Sequence, residues 1–291
     1  MSKLQPRDFH IEPLEPFGAR IVGLDLRAPL SPESQQAFRD LLFEHGVLVF
    51  EGQNLAEADQ RRLMGHIGRV AGGLNGFTML DPEGNLGRTN ICFHSDYAFT
   101  AKPITALSLF AVEVEDGQTC TRFASGTRGY EAMPVRLKAA LEGRKALSVL
   151  PKDQGLVQID EPIPADMPSI VREAIIDHPV TGQKVVYIHE MQCGEIVGLP
   201  AEESRALAHA VYDAIYRPTN VYTHAWKKGD LVVWDNVGVH HARPALDDAV
   251  ARRSLRRIAV AEKDLAELCP EYAGPNGPLV KLSQGQVAAP A

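Results

Sequence analysis

Apolar positions along this 291-residue chain fall mostly into the short alternating or continuous runs of strands, with only a few stretches at helical spacing. Phe9-His10-Ile11-Glu12 and Arg20-Ile21-Val22-Gly23-Leu24 read as strands, separated by the turn-forming Pro13-Leu14-Glu15-Pro16-Phe17-Gly18. Ser31 followed by Pro32 predicts a helix N-cap and first helical position, and Phe38, Leu41 and Leu42 carry the helical period up to His45-Gly46. Val47-Leu48-Val49-Phe50 is a buried strand. Asn54 with Glu57 three residues later predicts the capped start of a second helix, with Leu63, Met64 and Ile67 as its apolar stripe and His66 as a structural residue. Ala71 to Gly87 reads as loop from its Gly and Pro breakers.

The run from Thr105 to Glu115 is a long β-branched and apolar strand that stops at the turn Asp116-Gly117. Helical patches at Gly129 to Ala132 and Pro134 to Glu142 precede a strand over Ala146 to Leu150, and Pro151 to Pro168 has no clear period. His178 to Gln183 followed by Lys184 to Ile188 predicts a hairpin, and Ala201 to Tyr216 an amphipathic helix. Asn220 to Trp226, Asp230 to Trp234 and Ser254 to Glu262 are further strands, and the tail over about 270–291 is expected to fray. No repeat and no linker composition divides the chain, so one domain over 1–291 is expected. Many strands with few helices predict a mainly β fold with flanking helices, a double-stranded β-helix or jelly-roll barrel. Strand counting alone equally admits a β-sandwich of another topology.

Composition narrows the function classes. The chain is 45% hydrophobic and 23% charged, as in a globular protein with a large core. No apolar run reaches the length of a membrane span and the first residues hold no apolar signal core, so a cytoplasmic location is expected. Cys92, Cys120, Cys193 and Cys269 show no Cys-x-x-Cys spacing, which points to reduced thiols and away from a disulfide framework or zinc knuckle. A net charge of −7 argues against general nucleic-acid binding, so the cluster Arg252-Arg253-Ser254-Leu255-Arg256-Arg257 needs a local explanation.

Chemistry concentrates at Phe93-His94-Ser95-Asp96-Tyr97. In extended chain His94 and Asp96 share one face with Ser95 turned away, so an imidazole and a carboxylate can grip one metal. A third ligand is available far along the chain, in Trp234-Asp235-Asn236 to His240-His241. Adjacent residues on a strand face opposite ways, so only one of His240 and His241 can join the others. Two His and one carboxylate are the facial triad of non-haem Fe(II) oxygenases, with the opposite metal positions open. If Arg253 begins a strand, Arg253, Leu255 and Arg257 share one face and Arg252, Ser254 and Arg256 the other. Two guanidinium groups turned into a barrel would require anionic partners, for which a bidentate carboxylate is suited. The alternative is a solvated basic strand.

His94-Ser95-Asp96, Asp116-Gly117-Gln118-Thr119, Trp234-Asp235-Asn236 with His241, and the Arg series resemble, in order and rough spacing, the taurine dioxygenase (TauD/TfdA) family over about Ile11 to Val260. That family comprises Fe(II)- and 2-oxoglutarate-dependent dioxygenases. The resemblance implies His94, Asp96 and His241 as iron ligands, since the family's ligand follows Trp-Asp-Asn by four intervening residues. It assigns Arg253 to the distal carboxylate of 2-oxoglutarate, Thr119 to a hydrogen bond with that cosubstrate, and Arg257 to an anionic substrate. It places Asn90 in contact with substrate, lets Tyr97 and Phe99 line the pocket, and makes a lid of about 151–172. For His189 and Tyr187 a core or subunit-contact role stays open. The implied reaction consumes O2, converts 2-oxoglutarate to succinate and CO2, and oxidises a substrate C–H bond, most simply to an alcohol. Desaturation, cyclisation or rearrangement uses the same cofactors. Asp96 stands where the related halogenases have a small residue. A non-catalytic metal-binding barrel or a zinc hydrolase could use the same ligands, but neither needs a dicarboxylate site. The expected partners are a small, anionic molecule and, as a homo-oligomer, one or three further copies of the chain.

Overall fold

Two β-sheets face each other across an apolar layer, in the computed structural model that describes residues 9–72, 88–151 and 153–270. The larger sheet runs β1 (His10–Pro13), β2 (Ala19–Val22), β3 (Val47–Phe50), β13 (Leu231–Asp235), β5 (Ala106–Val114) and β15 (Arg253–Val260). The smaller runs β12 (Val221–Ala225), β6 (Cys120–Ser125), β14 (Val239–Arg243) and β4 (Ile91–His94). Every neighbouring pair in these two sheets is antiparallel except β2 with β3. This is the expected jelly roll. Positions 73–87 of the predicted loop and 271–291 of the predicted tail lie outside the described residues.

Period two sorts the larger sheet. Val47, Val49, Leu107, Leu109, Val232 and Trp234 point inward, where Phe123 and Val239 of the smaller sheet meet them. Leu48, Phe50, Phe110, Leu231 and Val233 point outward and are covered by Phe38, Leu41, Leu42, Leu63 and Met64. Those covering residues come from α1 (Pro32–His45) and α2 (Glu57–Gly65). Fully burying each such side chain contributes about 1.5–3 kcal/mol, so both layers weigh heavily in the stability.

The start of α1 is as predicted: the Ser31 hydroxyl accepts from the Ser34 N–H at 3.2 Å, and Gly46 ends the helix at φ +74°. The start of α2 differs. Its cap falls at Ala56, where the Asp59 carboxylate accepts the Ala56 N–H at 3.1 Å, two residues after the predicted Asn54. A carboxylate in the first turn satisfies a backbone donor there as well as an Asn cap would.

A second layer packs behind the smaller sheet. It comprises β7 (Lys145–Val149) between β11 (Cys193–Ile196) and β8 (Ser169–Glu173), the hairpin β9 (Ile175–Asp177) and β10 (Lys184–Val186), and helices α3 (Gly126–Ala132), α4 (Val135–Leu141) and α5 (Ala201–Ile215). The hairpin stops at Val186, short of the predicted Ile188, because the chain then turns to run beside the metal motif: the Met191 N–H reaches the Phe93 carbonyl at 3.2 Å. The aperiodic stretch after Pro151 contains a 3-10 turn at Gln158–Asp160 and ends in β8. All four cysteines are free thiols.

Candidate metal centre

Strand β14 lies between β6 and β4, and this neighbourhood assembles the site. His241 is paired in register with His94 on one side and with Phe123 on the other. The two imidazoles lie with ring centroids 4.1 Å apart. Asp96, just past the end of β4, turns one oxygen to both: Oδ1 is 3.1 Å from His94 Nε2 and 3.5 Å from His241 Nε2. The potential ligand atoms of these three residues lie within 4.8 Å of one another, and no other such group occurs among the described residues.

Neighbouring groups fix each candidate ligand. The Nδ1–H of His94 donates to the Cys92 carbonyl at 2.9 Å, which leaves Nε2 with its lone pair toward the shared point. Burial, reinforced by the nearby His94, holds His241 neutral with its pKa well below the ordinary histidine value. Burial pushes the Asp96 carboxyl upward, but the charge of Arg257 beside it is the largest of the opposing influences that keep Asp96 ionised far below the usual carboxylate range. Neutral imidazoles and an ionised carboxylate are the protonation states a divalent ion requires. Asn236 grips the backbone of Asp96 from both sides, its Oδ1 accepting the Asp96 N–H at 2.9 Å and its Nδ2 donating to the Asp96 carbonyl at 3.0 Å. Asp235 holds the turn before His241 by accepting from the Val237 and Gly238 N–H groups at 3.0 and 3.1 Å.

His240 points away from this point, as alternation requires. Its Nδ1 meets the Tyr216 hydroxyl at 2.9 Å and its Nε2 the Val186 carbonyl at 2.9 Å. Both nitrogens are occupied, and His240 takes a structural role. His189 lies on the same side, with its ring centroid 4.2 Å from that of His240 and 4.8 Å from that of Tyr187, deep in the interior.

On β15, Arg253 and Leu255 are buried and Arg257 turns inward with them, while Arg256 faces outward to Gln60 and the Leu55 carbonyl. The register between β15 and β5 shifts once, but the extra residue is Val112 on β5, so the alternation of β15 continues unbroken. Arg253 pairs with Val114 at the end of β5, from which the chain turns back to Thr119. Burial raises the Cys120 thiol pKa, and the charges of Arg122 and Arg253 oppose that rise. Thr119 is 4% exposed and its hydroxyl has no hydrogen-bond partner among the described residues. A buried guanidinium at the end of β15 and an orphaned buried hydroxyl in the turn after β5 are the groups a bound carboxylate would use.

Three residues expected on the substrate side have partners within the chain. Arg257 does not await a substrate anion, because its Nη2 donates to the second oxygen of Asp96. Asn90 is exposed and its amide donates to the Gly155 carbonyl at 3.1 Å, so it joins the following stretch to the metal strand. Tyr97 is buried in the inner core, stacked on Phe99, and is the sole non-glycine residue with positive φ among the described residues, at +62°. Sequence reasoning missed Asn236 as a direct support of Asp96. It also missed Arg243, whose side chain donates to the Thr89 carbonyl at 2.7 Å and whose pKa burial pushes down to about 10. The pairing of residues 241 and 243 on one face of β14 was the available signal.

Residues 10–259 match the family model described as taurine catabolism dioxygenase TauD, TfdA family. The chain is 28% identical to an alpha-ketoglutarate-dependent 2,4-dichlorophenoxyacetate dioxygenase of Cupriavidus pinatubonensis, covering 86% of this chain and 96% of the relative. It is also 28% identical to a pentalenolactone F synthase of Streptomyces avermitilis, over 86% and 93% of the two chains. Among solved structures, AAD-2 in complex with Mn(II) and N-oxalylglycine superposes with a TM-score of 0.74 at 27% identity, covering 87% of this chain and 97% of that one.

Proposed function

The chain belongs to the TauD/TfdA family of Fe(II)- and 2-oxoglutarate-dependent dioxygenases, and from that premise we propose that it hydroxylates an unactivated C–H bond of a small anionic molecule. The observation that carries this reading is the convergence of His94 Nε2, His241 Nε2 and Asp96 Oδ1 on one point, with the other carboxylate oxygen held away by Arg257. Iron, when bound there with 2-oxoglutarate and O2, supplies the oxidation, with succinate and CO2 as coproducts.

The chain's own residues hold and orient. His94 is fixed in one tautomer by the Cys92 carbonyl. Asp96 is fixed at its backbone by Asn236 and at its outer oxygen by Arg257, which favours a one-oxygen contact with the ion. Arg253 and Thr119 are suited to the distal carboxylate of the cosubstrate, the guanidinium by its fork of donors and the hydroxyl by its unmet hydrogen-bonding capacity. The surrounding apolar layer of Leu107, Leu109, Phe123 and Trp234 keeps bulk water from the reacting C–H.

The anionic class is suggested by the relative that acts on 2,4-dichlorophenoxyacetate. Arg257 is already paired, so the charge balance of the apo site does not itself demand a substrate anion. Succinate release from 2-oxoglutarate, measured with Fe(II) and O2 against a panel of aryloxy acids, sulfonates, sulfate esters and their neutral esters or amides, tests the proposal. Stimulation by the acids and not by their neutral counterparts is expected; stimulation by neutral compounds alone would refute the substrate class. Desaturation or ring closure would use the same cofactors and is the second outcome to test. Mass analysis of the product separates gain of an oxygen atom from loss of two hydrogens.

A further inference from the structure

The backbone just after the metal ligand Asp96 is unusual. Tyr97 adopts φ +62°, a region that an aromatic residue occupies only when its surroundings over-determine it. Two tight turns follow: the Ala98 N–H reaches the Ser95 carbonyl at 3.2 Å and the Thr100 N–H the Tyr97 carbonyl at 2.9 Å. The Thr100 hydroxyl also donates to the Tyr97 carbonyl, at 2.9 Å. Asn236 secures the N-terminal side of Tyr97, and the C-terminal side is held by one residue from outside the motif. Arg172 on β8 donates from Nε to the Ala98 carbonyl at 2.9 Å and from Nη2 to the Thr100 carbonyl. Its guanidinium lies 5.9 Å from the centre of the buried Tyr187 ring.

We propose that Arg172 is a positioning residue of the metal site, bridging the carbonyls of Ala98 and Thr100 so that Tyr97 stays left-handed and Asp96 keeps its aim at His94 and His241. The proposal rests on the metal-ligand reading of Asp96 given above. A guanidinium is suited to this task because its fork spans two diverging acceptors at fixed geometry, whereas a Lys ammonium is a single point. Among the described residues no ion pair includes Arg172, so its donors serve the turn and not a neighbouring acid. The same stretch of chain holds the other end of the metal strand: the Gln154 carbonyl accepts the Cys92 N–H at 2.8 Å, and Gly155 accepts from Asn90. Residues 153–173 therefore grip the 90–100 segment both before His94 and after Asp96. Arg172 is the charged member of that grip.

The test compares full-length wild type with Arg172→Gln, Arg172→Lys and, as a control on the same strand, Glu173→Gln, whose exposed carboxylate pairs with Lys145. Mn(II) binding is followed by the loss of the free-ion EPR signal, with and without N-oxalylglycine, and backbone exchange by amide hydrogen exchange. Arg172→Gln should bind Mn(II) about tenfold more weakly, the low end of what loss of a supporting residue around a metal ligand produces. Exchange at Ala98 and Thr100 should rise on the order of tenfold, while amides in β5 and β13 keep their protection. Arg172→Lys should recover part of both and Glu173→Gln should match wild type. Wild-type Mn(II) affinity in Arg172→Gln, or unchanged exchange at Ala98 and Thr100, overturns the proposal even if the melting temperature falls. If Arg172→Gln does not fold, Arg172→Lys decides alone: affinity and exchange equal to wild type overturn it, and a partial loss of both supports it. Failure of the metal reading itself is recognised separately, as wild-type Mn(II) binding that His241→Ala leaves intact.

Discussion

Replacing Arg257 by Met tests whether this guanidinium serves Asp96 or a substrate anion. Met keeps much of the apolar length of the side chain and removes its charge. In the metal-free protein the pair is mostly withdrawn from water, with side-chain exposures of 9% and 17%. Removing one partner of a buried pair strands the other, a loss of about 3–5 kcal/mol, and the residual exposure of Asp96 favours the lower part of that range. For a chain of this size about 2–4 °C of melting temperature goes with each kcal/mol, so a fall of roughly 6–12 °C is expected. Mn(II) should then stabilise the variant more than it stabilises wild type. The ion gives the stranded carboxylate a new cationic partner and no longer meets a repelling guanidinium. The assay is calorimetric melting of chelator-treated protein with and without saturating Mn(II), for wild type, Arg257→Met and Arg257→Lys. An apo melting temperature within about 2 °C of wild type, combined with a raised substrate KM, would refute this reasoning and return Arg257 to the role of substrate anchor.

Four further outcomes are expected. His241→Ala abolishes Mn(II) binding while His240→Ala retains it and loses stability, because His240 gives up its contacts with Tyr216 and the Val186 carbonyl; equal loss of binding in both, measured by metal titration, would reverse the ligand assignment. Arg253→Ala weakens 2-oxoglutarate binding by about 2–4 kcal/mol, roughly 30- to 1000-fold, with little change in Mn(II) affinity; an unchanged cosubstrate KM, with Arg256→Ala defective instead, would refute the inward-face reading. Thr119→Val weakens cosubstrate binding by about 0.5–1.5 kcal/mol and leaves the fold intact, since the hydroxyl has no protein partner to lose; isothermal titration with N-oxalylglycine checks it. Burial holds His189 and His241 well below the ordinary histidine pKa and His240 at about 4, so the native metal-free protein binds fewer protons than the unfolded chain. Their contribution is therefore complete above the unfolded value near 6.5 and is lost as pH falls from there toward 4, by up to about 1.4 kcal/mol per pH unit for each; urea unfolding at several pH values would contradict this if stability were flat across that window.

The parts of this site that lie on one strand were legible in the sequence, because alternation is a local rule. Asp96 lies past the end of β4, in a turn that alternation does not reach, but the rule separated His241 from His240 and turned Arg253 and Arg257 inward. That last inference survived a register shift only because the extra residue belongs to β5 and not to β15. A bulge one strand over would have reversed it with no change in the Arg series. The layers were legible for the same reason, whereas β11, with Cys193-Gly194-Glu195-Ile196, offers too little β-branched character to announce a strand. What could not be read was which side chain from a distant strand closes on which ligand. Asn236 meets Asp96 across 140 residues and Arg257 across 161. The sequence argument asked for an anionic partner to Arg257 from among bound molecules, and the partner came from the end of β4 on the opposite sheet. The ligand carboxylate was itself the missing anion: a buried cation and a buried anion in one barrel satisfy each other before either recruits a molecule from solution. Any anionic group of the substrate is therefore met by a residue other than Arg257, whose partner lies within the fold.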